Sequence, residues 1–238
     1  MTTKFPFRNG FFEFLGDTDD SLKKEIVNHI FFKRWIDRLD KSIVLKTIKL
    51  QSYIRDNNGN ITYIKIDTIT ERNGGKIPRI IILEGYALSV LIVLRSIETK
   101  IAYAVLERKI LIATGSYQNV IPLKITGILE PDEKIAAEFI KNEIGIDSNA
   151  NEIVDLPKSS TNNQIPYAYL YCGPTDLINK IYLLEKDVNE EFVKQLDEKE
   201  IRPNTSLKII PLEHAEQFIQ DFVSLMPFSY YQKLKLST

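Results

Sequence analysis

The sequence contains very little of the two residue types that most often form disulfides and transition-metal sites. Of its 238 residues, one is cysteine, Cys172, and two are histidine. A single cysteine cannot form an intramolecular disulfide, so we expect an intracellular protein, cytoplasmic or mitochondrial, with Cys172 packed as an ordinary thiol. His29 has no second histidine or cysteine at metal-ligand spacing, and we interpret it as a structural residue.

The sequence also lacks an excess of charge of one sign and a long apolar run. The 31 basic and 32 acidic residues leave a formal net charge of −1, which gives no overall field that favours nucleic acid or an anionic membrane. The longest apolar run, residues 87–94 with Ser89 inside it, is far shorter than the ~20 residues that span a bilayer. The first twenty residues contain four acidic side chains, which is untypical of a targeting peptide.

The composition that remains is that of a folded globular protein. Apolar residues make up 44% of the chain and charged residues 26%, and the length suits one domain or one domain with a small extension. The segment 5–16 is too aromatic to be left in water. It either packs on its own domain or docks on a partner, and both interpretations stay open at this stage. Its aromatic residues are Phe5, Phe7, Phe11, Phe12 and Phe14.

Periodicity predicts a mixed α/β fold. Apolar residues at i, i+4 spacing predict one helix over residues 20–39, and a similar stripe followed by Gly145 predicts a second over 132–144. A last helix is expected at 214–225. Asn-Gly turns join β-branched runs into an antiparallel meander that leads into a buried sheet. Strands are predicted at 43–53, 61–70, 77–83, 86–94, 101–106, 153–156, 167–171, 181–184 and 207–210.

One segment resembles a known motif. Gly127 followed by Ile-Leu-Glu-Pro-Asp-Glu133, and a helix that ends in Glu143-Ile-Gly145-Ile, is similar to the Nudix box. That box reads glycine, five residues, Glu, seven residues, Arg-Glu-aliphatic-x-Glu-Glu-x-Gly-aliphatic. Segments 74–78, 85–91, 103–106 and 113–115 follow the order seen in ADP-sugar and ADP-ribose diphosphatases. The plant-type ADP-sugar diphosphatases are the most similar branch, over residues 30–232.

The resemblance implies a fold and a chemistry. The fold is a Nudix α/β/α sandwich preceded by an N-terminal helix and an antiparallel β meander, often dimeric through the N-terminal sheets. We expect an aromatic arm at 1–18, the helix and β region at 19–84, and the Nudix-like domain at 85–238. The chemistry is Mg²⁺-dependent cleavage of a nucleoside diphosphate, in which carboxylates on one helix face hold the cations.

The positions that would hold Mg²⁺ are altered in this sequence. With Gly145 as the anchor, the first metal-binding Glu is replaced by Phe139 and the second by Asn142, and the helix-orienting Arg is replaced by Glu138. Only Glu143 keeps the residue of the family. Glu138 and Glu143 lie about 140° apart around an ideal helix and cannot share one ion.

The loop before the helix is altered as well. Glu133 precedes Gly145 by twelve positions, where the box expects fifteen, and Glu130 and Glu133 could at best add one ligand. On the substrate side, Leu111 stands where the resemblance expects an Arg and Leu123 where it expects a Glu, while Gly173 and Asp176 keep a Gly-x-x-Asp pattern. A late catalytic Glu is replaced by Asn204 or Thr205.

These substitutions favour a catalytically silent Nudix-fold protein that serves as a structural or interaction subunit, with no catalytic residues and no resident metal. Two alternatives stay open. One is an ADP-sugar or ADP-ribose diphosphatase with displaced Mg²⁺ ligands, and the other is a nucleotide binder that does not hydrolyse. Nucleic acid is not expected as a partner. Docking on a protein partner or in a homodimer is expected through Phe5, Phe7, Phe11, Phe12, Phe14, Tyr230 and Tyr231.

Overall fold

A computed structural model describes residues 2–8, 10–112, 114–161, 168–169 and 174–236. Cys172, Gly173, Ala113 and most of the predicted strand 167–171 lie outside the described residues. The chain divides into two compact units. Unit 1 comprises Met1–Tyr86, Gly127–Leu129 and Tyr169–Ile178, and unit 2 comprises Ala87–Thr126, Glu130–Ala168 and Asn179–Thr238.

Unit 1 contains a five-stranded sheet with its strands in sequence order. The first two strands form an antiparallel hairpin, the second and third are parallel, and the remaining neighbours are antiparallel. The predicted meander therefore has an added N-terminal hairpin and one parallel junction. The elements are β1 (Thr3–Phe7), β2 (Gly10–Leu15), α1 (Asp20–Asn28), α2 (Ile30–Arg38), β3 (Val44–Arg55), β4 (Ile61–Arg72) and β5 (Gly75–Leu83).

The two predicted turns of the meander are confirmed. Between β3 and β4, the Asp56 carboxylate accepts from the backbone N–H groups of Asn58 and Asn60, each at 2.9 Å. Between β4 and β5, Asn73 and Gly74 both adopt positive φ, at 51° and 77°. Such angles match the twist of a tight hairpin, and Asn and Gly tolerate them better than other residues.

The single helix predicted over residues 20–39 is wrong, because the chain breaks at His29. His29 has extended backbone angles, φ −64° and ψ 143°, and its Nδ1 accepts from the Phe31 N–H at 3.3 Å. His29 is thus the N-cap of α2, a role in which a side chain supplies the acceptor that the first helical turn lacks. The apolar spacing continues across the break, so periodicity alone could not reveal it.

The aromatic N-terminal segment packs on its own unit. Phe7, Phe12 and Phe14 are buried in a core with Phe31 and other side chains of the helices and the sheet, and Phe5 packs against that core. Phe11 points outward and is 68% exposed. Of the two interpretations of this segment, packing on its own domain is therefore the observed one for all but Phe11.

Unit 2 contains a larger sheet in which the long strands follow the order β10, β12, β6, β7, β14, β13. β8 pairs with β7, and β9 pairs with β6. The strands are β6 (Tyr86–Ser96), β7 (Ala102–Leu111), β8 (Ser116–Val120), β9 (Leu123–Gly127), β10 (Ile153–Asp155), β11 (Ala168–Tyr169), β12 (Ile178–Val188), β13 (Glu200–Arg202) and β14 (Thr205–Pro211), and the helices are α3 (Glu133–Phe139), α4 (Leu156–Ser160), α5 (Glu190–Leu196) and α6 (Phe222–Leu236).

Side chains of the central strand β6 enter two different cores. Leu88 and Val90 pack with α3 in one cluster, whereas Leu91 and Val93 pack with α6 in the other. Alternation along a strand sends successive side chains to opposite faces, so a strand covered by helices on both faces must be apolar at nearly every position. The predicted α/β/α sandwich is confirmed.

The C-terminal helix predicted at 214–225 is wrong in extent. Leu212–Phe218 is a 3₁₀ helix, and α6 runs from Phe222 to Leu236 with Pro227 inside it. Tyr231 is buried in the α6 core and donates to Glu185 Oε1 at 2.8 Å, and Tyr230 is half-buried. Within the described residues, no helix is both long and apolar enough to cross a membrane.

Candidate functional site

The site is built around α3, the helix that carries the Nudix-like pattern. Asp132 begins it as N-cap, accepting from the Ile135 N–H at 2.9 Å. After Phe139 the chain makes one π-helical turn, Ile140–Ile144, which ends at Gly145 with φ +82°. A left-handed glycine satisfies the last carbonyl groups of a helix, and here the Gly145 N–H donates to Ile140 O at 3.0 Å. The predicted helix and its glycine stop are confirmed.

The altered box positions do not gather into one cluster. Phe139 is 2% exposed and lies in the core beside the sheet, while Asn142 and Glu138 are exposed to solvent. Phe139 offers no ligand atom. Glu143, the position that keeps the residue of the family, forms ion pairs with Lys124 and Arg202, and Lys124 Nζ also lies 5.9 Å from the centre of the Phe139 ring.

The loop that leads into α3 is held by strand β12. Lys180 Nζ lies 2.9 Å from a Glu130 carboxylate oxygen, and the Tyr182 hydroxyl donates to Pro131 O at 2.7 Å. Burial, followed by nearby carboxylates, raises the pKa of Tyr182. Glu130 stands fifteen residues before Gly145, which is the spacing the box expects, so Glu130 and not Glu133 fits the early glutamate of the pattern. Counting back from Gly145 could have found this register.

A buried carboxylate lies next to the helix, on strand β7. Glu107 is 0% exposed, and it shares the α3 face of the strand with Val105, two residues earlier. Its carboxylate accepts from Arg202 Nη2 at 2.6 Å and from Lys109 Nζ at 2.9 Å. A fully buried carboxylate is stable only when it is paired and hydrogen-bonded in this manner.

Arg202 joins this carboxylate to the helix. Its Nη1 donates to Glu143 Oε2 at 3.2 Å, and Lys124 Nζ on β9 lies 2.5 Å from Glu143 Oε1. One guanidinium thus bridges a strand carboxylate and a helix carboxylate. We call these five side chains the ion-pair cluster: Glu107, Lys109, Lys124, Glu143 and Arg202.

Sequence reasoning did not identify the ion-pair cluster as a unit. Glu107 and Lys109 are two residues apart on a strand and therefore lie on the same face, so their proximity could have been predicted from the sequence. Arg202 lies on β13, which is far along the chain from β7, and reaches Glu107 because β14 pairs with both strands. Nothing in the local pattern around Arg202 indicated that contact.

The donor set does not suit a divalent cation. Mg²⁺ requires several oxygen ligands in octahedral geometry. In the part of the chain that the structure describes, no group of three or more His, Cys, Asp or Glu side chains could hold a metal ion. Glu107 and Glu143 are each paired with two side-chain cations, and Glu130 with one.

Asp176, from the Gly-x-x-Asp pattern, has a structural role within unit 1. Its Oδ1 accepts from the backbone N–H of Glu84 at 2.8 Å and of Gly85 at 3.4 Å, and Arg34 Nη2 donates to Oδ2 at 3.3 Å. Gly85 must be glycine, because a Cβ there would lie 2.0 Å from Gly127 O. The Asp176 carboxylate therefore holds the backbone at Glu84 and Gly85, and the missing side chain of Gly85 lets Gly127 come close.

The chain is similar to known proteins in sequence and in fold. No protein-family model matches the chain. It is 28% identical over 222 residues to Nudix hydrolase 14, chloroplastic, of Arabidopsis thaliana, a match that covers 86% of this chain and 65% of that protein. A crystal structure of an ADP compounds hydrolase superimposes with a TM-score of 0.52 at 14% identity, covering 82% of this chain and 95% of the other.

The fold, the glycine-closed helix and the sequence match together show that this chain is similar to Nudix hydrolases. The relative by sequence carries the name of a Nudix hydrolase, and the relative by fold that of an ADP compounds hydrolase. The chain spans about 65% of the length of the curated relative it matches.

Proposed function

We propose that this chain is a catalytically silent Nudix-like protein that functions by binding, as a subunit of a larger assembly. The observation that carries the proposal is the Arg202 guanidinium, which bridges Glu107 and Glu143 at 2.6 and 3.2 Å. Two carboxylates that converge beside the helix are thereby neutralised by a side chain of the protein itself. A hard cation would have to displace the Arg202 guanidinium from the buried Glu107 carboxylate to reach it.

The remaining box positions support the same proposal. Hydrolysis of a diphosphate by this kind of site needs metal ions that activate water and neutralise developing charge. Phe139 has no ligand atom, and Asn142 offers a neutral amide in place of a carboxylate. Neither position can supply the charge that would hold a metal.

The activity test is a direct assay for AMP. Purified full chain is incubated with ADP-ribose and with ADP-glucose in Mg²⁺ and in Mn²⁺, and AMP is separated and quantified. We expect no release above the rate without protein. Metal-dependent AMP release that is lost in Glu143→Gln would overturn the proposal, and the exposed Glu138→Gln serves as the matched control.

The second candidate is an ADP-compound diphosphatase with displaced ligands. The names of both relatives favour it, and so does Glu130, which stands at the spacing expected for the early glutamate. This candidate predicts that Glu130→Gln lowers a measurable activity while Glu133→Gln does not. If the wild type releases no AMP, this candidate fails.

The subunit part of the proposal rests on exposed aromatic surface. Of the seven aromatic side chains expected at docking surfaces, Phe11 is the one that is largely exposed, at 68%. We expect the endogenous protein to migrate well above a ~55 kDa dimer of the 27.5 kDa chain, with stoichiometric partners. Phe11→Ser should weaken this association, and Phe222→Ser, at a side chain that is 75% exposed, is the control. Migration as a clean monomer or dimer would contradict the subunit role.

A further inference from the structure

We infer that a groove beside α6 is a docking site for a partner protein, which inserts an arginine side chain into it. The groove has a volume of about 450 Å³ and lies within unit 2. It is bounded by the turn between β6 and β7, by the 3₁₀ helix Leu212–Phe218 and by α6. The inference deepens the subunit role proposed above, on which it rests, because it names a surface and the chemistry of the partner.

Part of the groove lining is apolar. Phe228 and Tyr231 line it from α6, and Ile101 and Leu212 line it from the other two elements. Residues three apart on a helix lie on the same face, which explains why both aromatic side chains border the groove. Ile101 is 45% exposed. Such a surface suits the methylene groups of a long side chain whose charged end stays at the rim.

Two carboxylates stand on one wall of the groove. Glu213 and Glu216 both line it, and both are exposed. Because a 3₁₀ helix has three residues per turn, their side chains lie one above the other. Glu213 has His214 at 3.5 Å, and Glu216 accepts a hydrogen bond from Gln232 at 2.8 Å. Among the described side chains, no lysine or arginine lies within salt-bridge distance of either glutamate.

A lysine lines the groove from a different element. Lys100 lies in the turn between β6 and β7 with φ +63°, an angle that side-chain-bearing residues seldom adopt. Its N–H donates to Ser96 O at 3.0 Å, which holds the turn. In the part of the chain that the structure describes, no carboxylate lies within salt-bridge distance of Lys100. The charges of one groove therefore do not neutralise one another.

These charges select the side chain that fits. Two carboxylates and one ammonium give the groove a formal charge of −1, which favours a cation and repels phosphate groups. An arginine suits it better than a lysine, because one planar guanidinium can donate to two carboxylates while its stem lies on the apolar lining. Arginine is also enriched in protein interfaces, where lysine is depleted. An acidic residue near that arginine would pair with Lys100.

The test is site-specific photocrosslinking of the full chain in its own cells. The photoreactive analogue p-benzoylphenylalanine replaces Gln232 at the groove, and in a matched chain it replaces Gln195 on α5. Mass spectrometry of the crosslinked peptides identifies the partner segment. We expect a crosslink from position 232 and none from position 195, to a segment that contains an arginine with an acidic residue close to it in sequence.

Charge reversal tests the ion pairs directly. Glu213→Lys/Glu216→Lys should lower the crosslinked fraction at least about tenfold, because like charges that face each other in an interface are strongly unfavourable. Glu138→Lys/Glu191→Lys, at exposed glutamates of α3 and α5, makes the same change in net charge and should have little effect. Replacing the arginine of the partner by glutamate should restore the crosslink to the reversed chain.

Lys100→Gly separates docking from folding. Glycine adopts a positive φ without strain, so the free energy of unfolding should not fall. The crosslinked fraction should nevertheless decrease, because an acidic residue of the partner loses its cation. Lower stability with an unchanged crosslink would overturn the role of Lys100 in docking.

Four results would reject the inference: no crosslink from position 232 above the level from position 195, a crosslinked segment without a basic residue, equal losses in the two double variants, or a crosslink to a second copy of this chain. The native-mass measurement separates the inference from the proposed function. A large assembly without a crosslink from the groove rejects the groove alone. A monomer or dimer with that crosslink rejects a stable assembly and keeps the docking site.

Discussion

Arg202 lies between two carboxylates, Glu107 and Glu143, and its guanidinium donates to both. A guanidinium cannot be deprotonated in a protein, and its planar fork can serve two acceptors at once. Because Glu107 is fully buried, its charge depends on Arg202 and Lys109 for compensation. Loss of one partner leaves a desolvated carboxylate that the remaining lysine serves only in part.

We therefore predict that Arg202→Ala lowers the free energy of unfolding by about 3 kcal/mol, the usual cost of breaking a buried ion pair on one side. Urea denaturation followed by circular dichroism measures it. Lys141→Ala, which breaks the exposed pair with Asp147, is the control and should change stability little. If the two variants are equally stable, Glu107 does not depend on Arg202.

His29 gives the N-terminal unit a pH dependence of defined sign. Burial, the largest contribution, lowers the pKa of His29 from its ordinary value of 6.5; Arg34 and Arg55 act in the same direction, and Glu25 and a hydrogen bond to the Ile61 backbone oppose it. The unfolded chain therefore takes up a proton at higher pH than the folded chain. Stability is unaffected well above pH 6.5, and it falls as the pH drops from there through the folded-state pKa.

The prediction is tested by urea unfolding of wild type and His29→Asn at pH 7.5 and pH 5.5. Asparagine still accepts a hydrogen bond at an N-cap but does not titrate. We expect the wild type to lose more stability between these two pH values than the variant does. Equal losses would show that His29 is not the group responsible.

At the scale of elements, the N-terminal hairpin is part of the core of unit 1. Phe14 is 0% exposed and Phe12 is 1% exposed, and Phe5 stacks on Phe12 with ring centroids 5.7 Å apart. The hairpin contributes its aromatic face to the same cluster as α1, α2 and Trp35. Its role is to cover one side of unit 1.

Phe14→Ala should accordingly lower the free energy of unfolding by about 3–5 kcal/mol, since it removes a large side chain from a closed core. Phe11→Ala, at a position 68% exposed in the same strand, should change it by less than about 0.5 kcal/mol. Fluorescence of Trp35, the single tryptophan, reports the unfolding of this core. A similar small effect of both substitutions would restore the interpretation of a loosely attached arm.

The sequence predicted the order and type of most elements because their signals are local. Asn73-Gly74 indicates a turn, the β6 run indicates a buried strand, and Gly145 indicates a helix end, and all three are observed. Features that depend on distant partners were not predicted. The N-terminal phenylalanines pack on their own unit because the helices of that unit cover them. The helix break at His29 depends on its side chain, which accepts a hydrogen bond from the Phe31 N–H.

The candidate site shows the same limit. The resemblance to the Nudix box, anchored at Gly145, predicts that Phe139 and Asn142 stand where the family has metal-binding glutamates. The cations that pair with Glu107 and Glu143 come from β7, β9 and β13, and only the folded sheet brings Lys109, Lys124 and Arg202 together. The loss of a metal site therefore stays a prediction, and the pairing of Glu107 and Glu143 with these cations could not be predicted from the sequence.

At the scale of the whole molecule, the fold of a hydrolase is combined with a site whose charges are internally paired. The glycines, the apolar sheet and the two helix-covered faces preserve the scaffold. The ion-pair cluster compensates the charges of Glu107 and Glu143 and connects the helix to the sheet. The stability of this arrangement should then be independent of divalent cations.

Thermal unfolding tests that independence, because a ligand that binds only the folded state raises the midpoint Tm, and the rise continues with the logarithm of ligand concentration above Kd. Under the proposed function, Arg202 and Lys124 keep Glu107 and Glu143 paired, so Mg²⁺ is not expected to bind the folded chain at these carboxylates. We expect Tm to be the same in MgCl₂ and in KCl at matched ionic strength, and EDTA to have no effect on freshly purified protein. A rise in Tm with MgCl₂ that matched KCl does not produce would mean that a cation displaces these ion pairs, and catalytic silence would lose its structural basis.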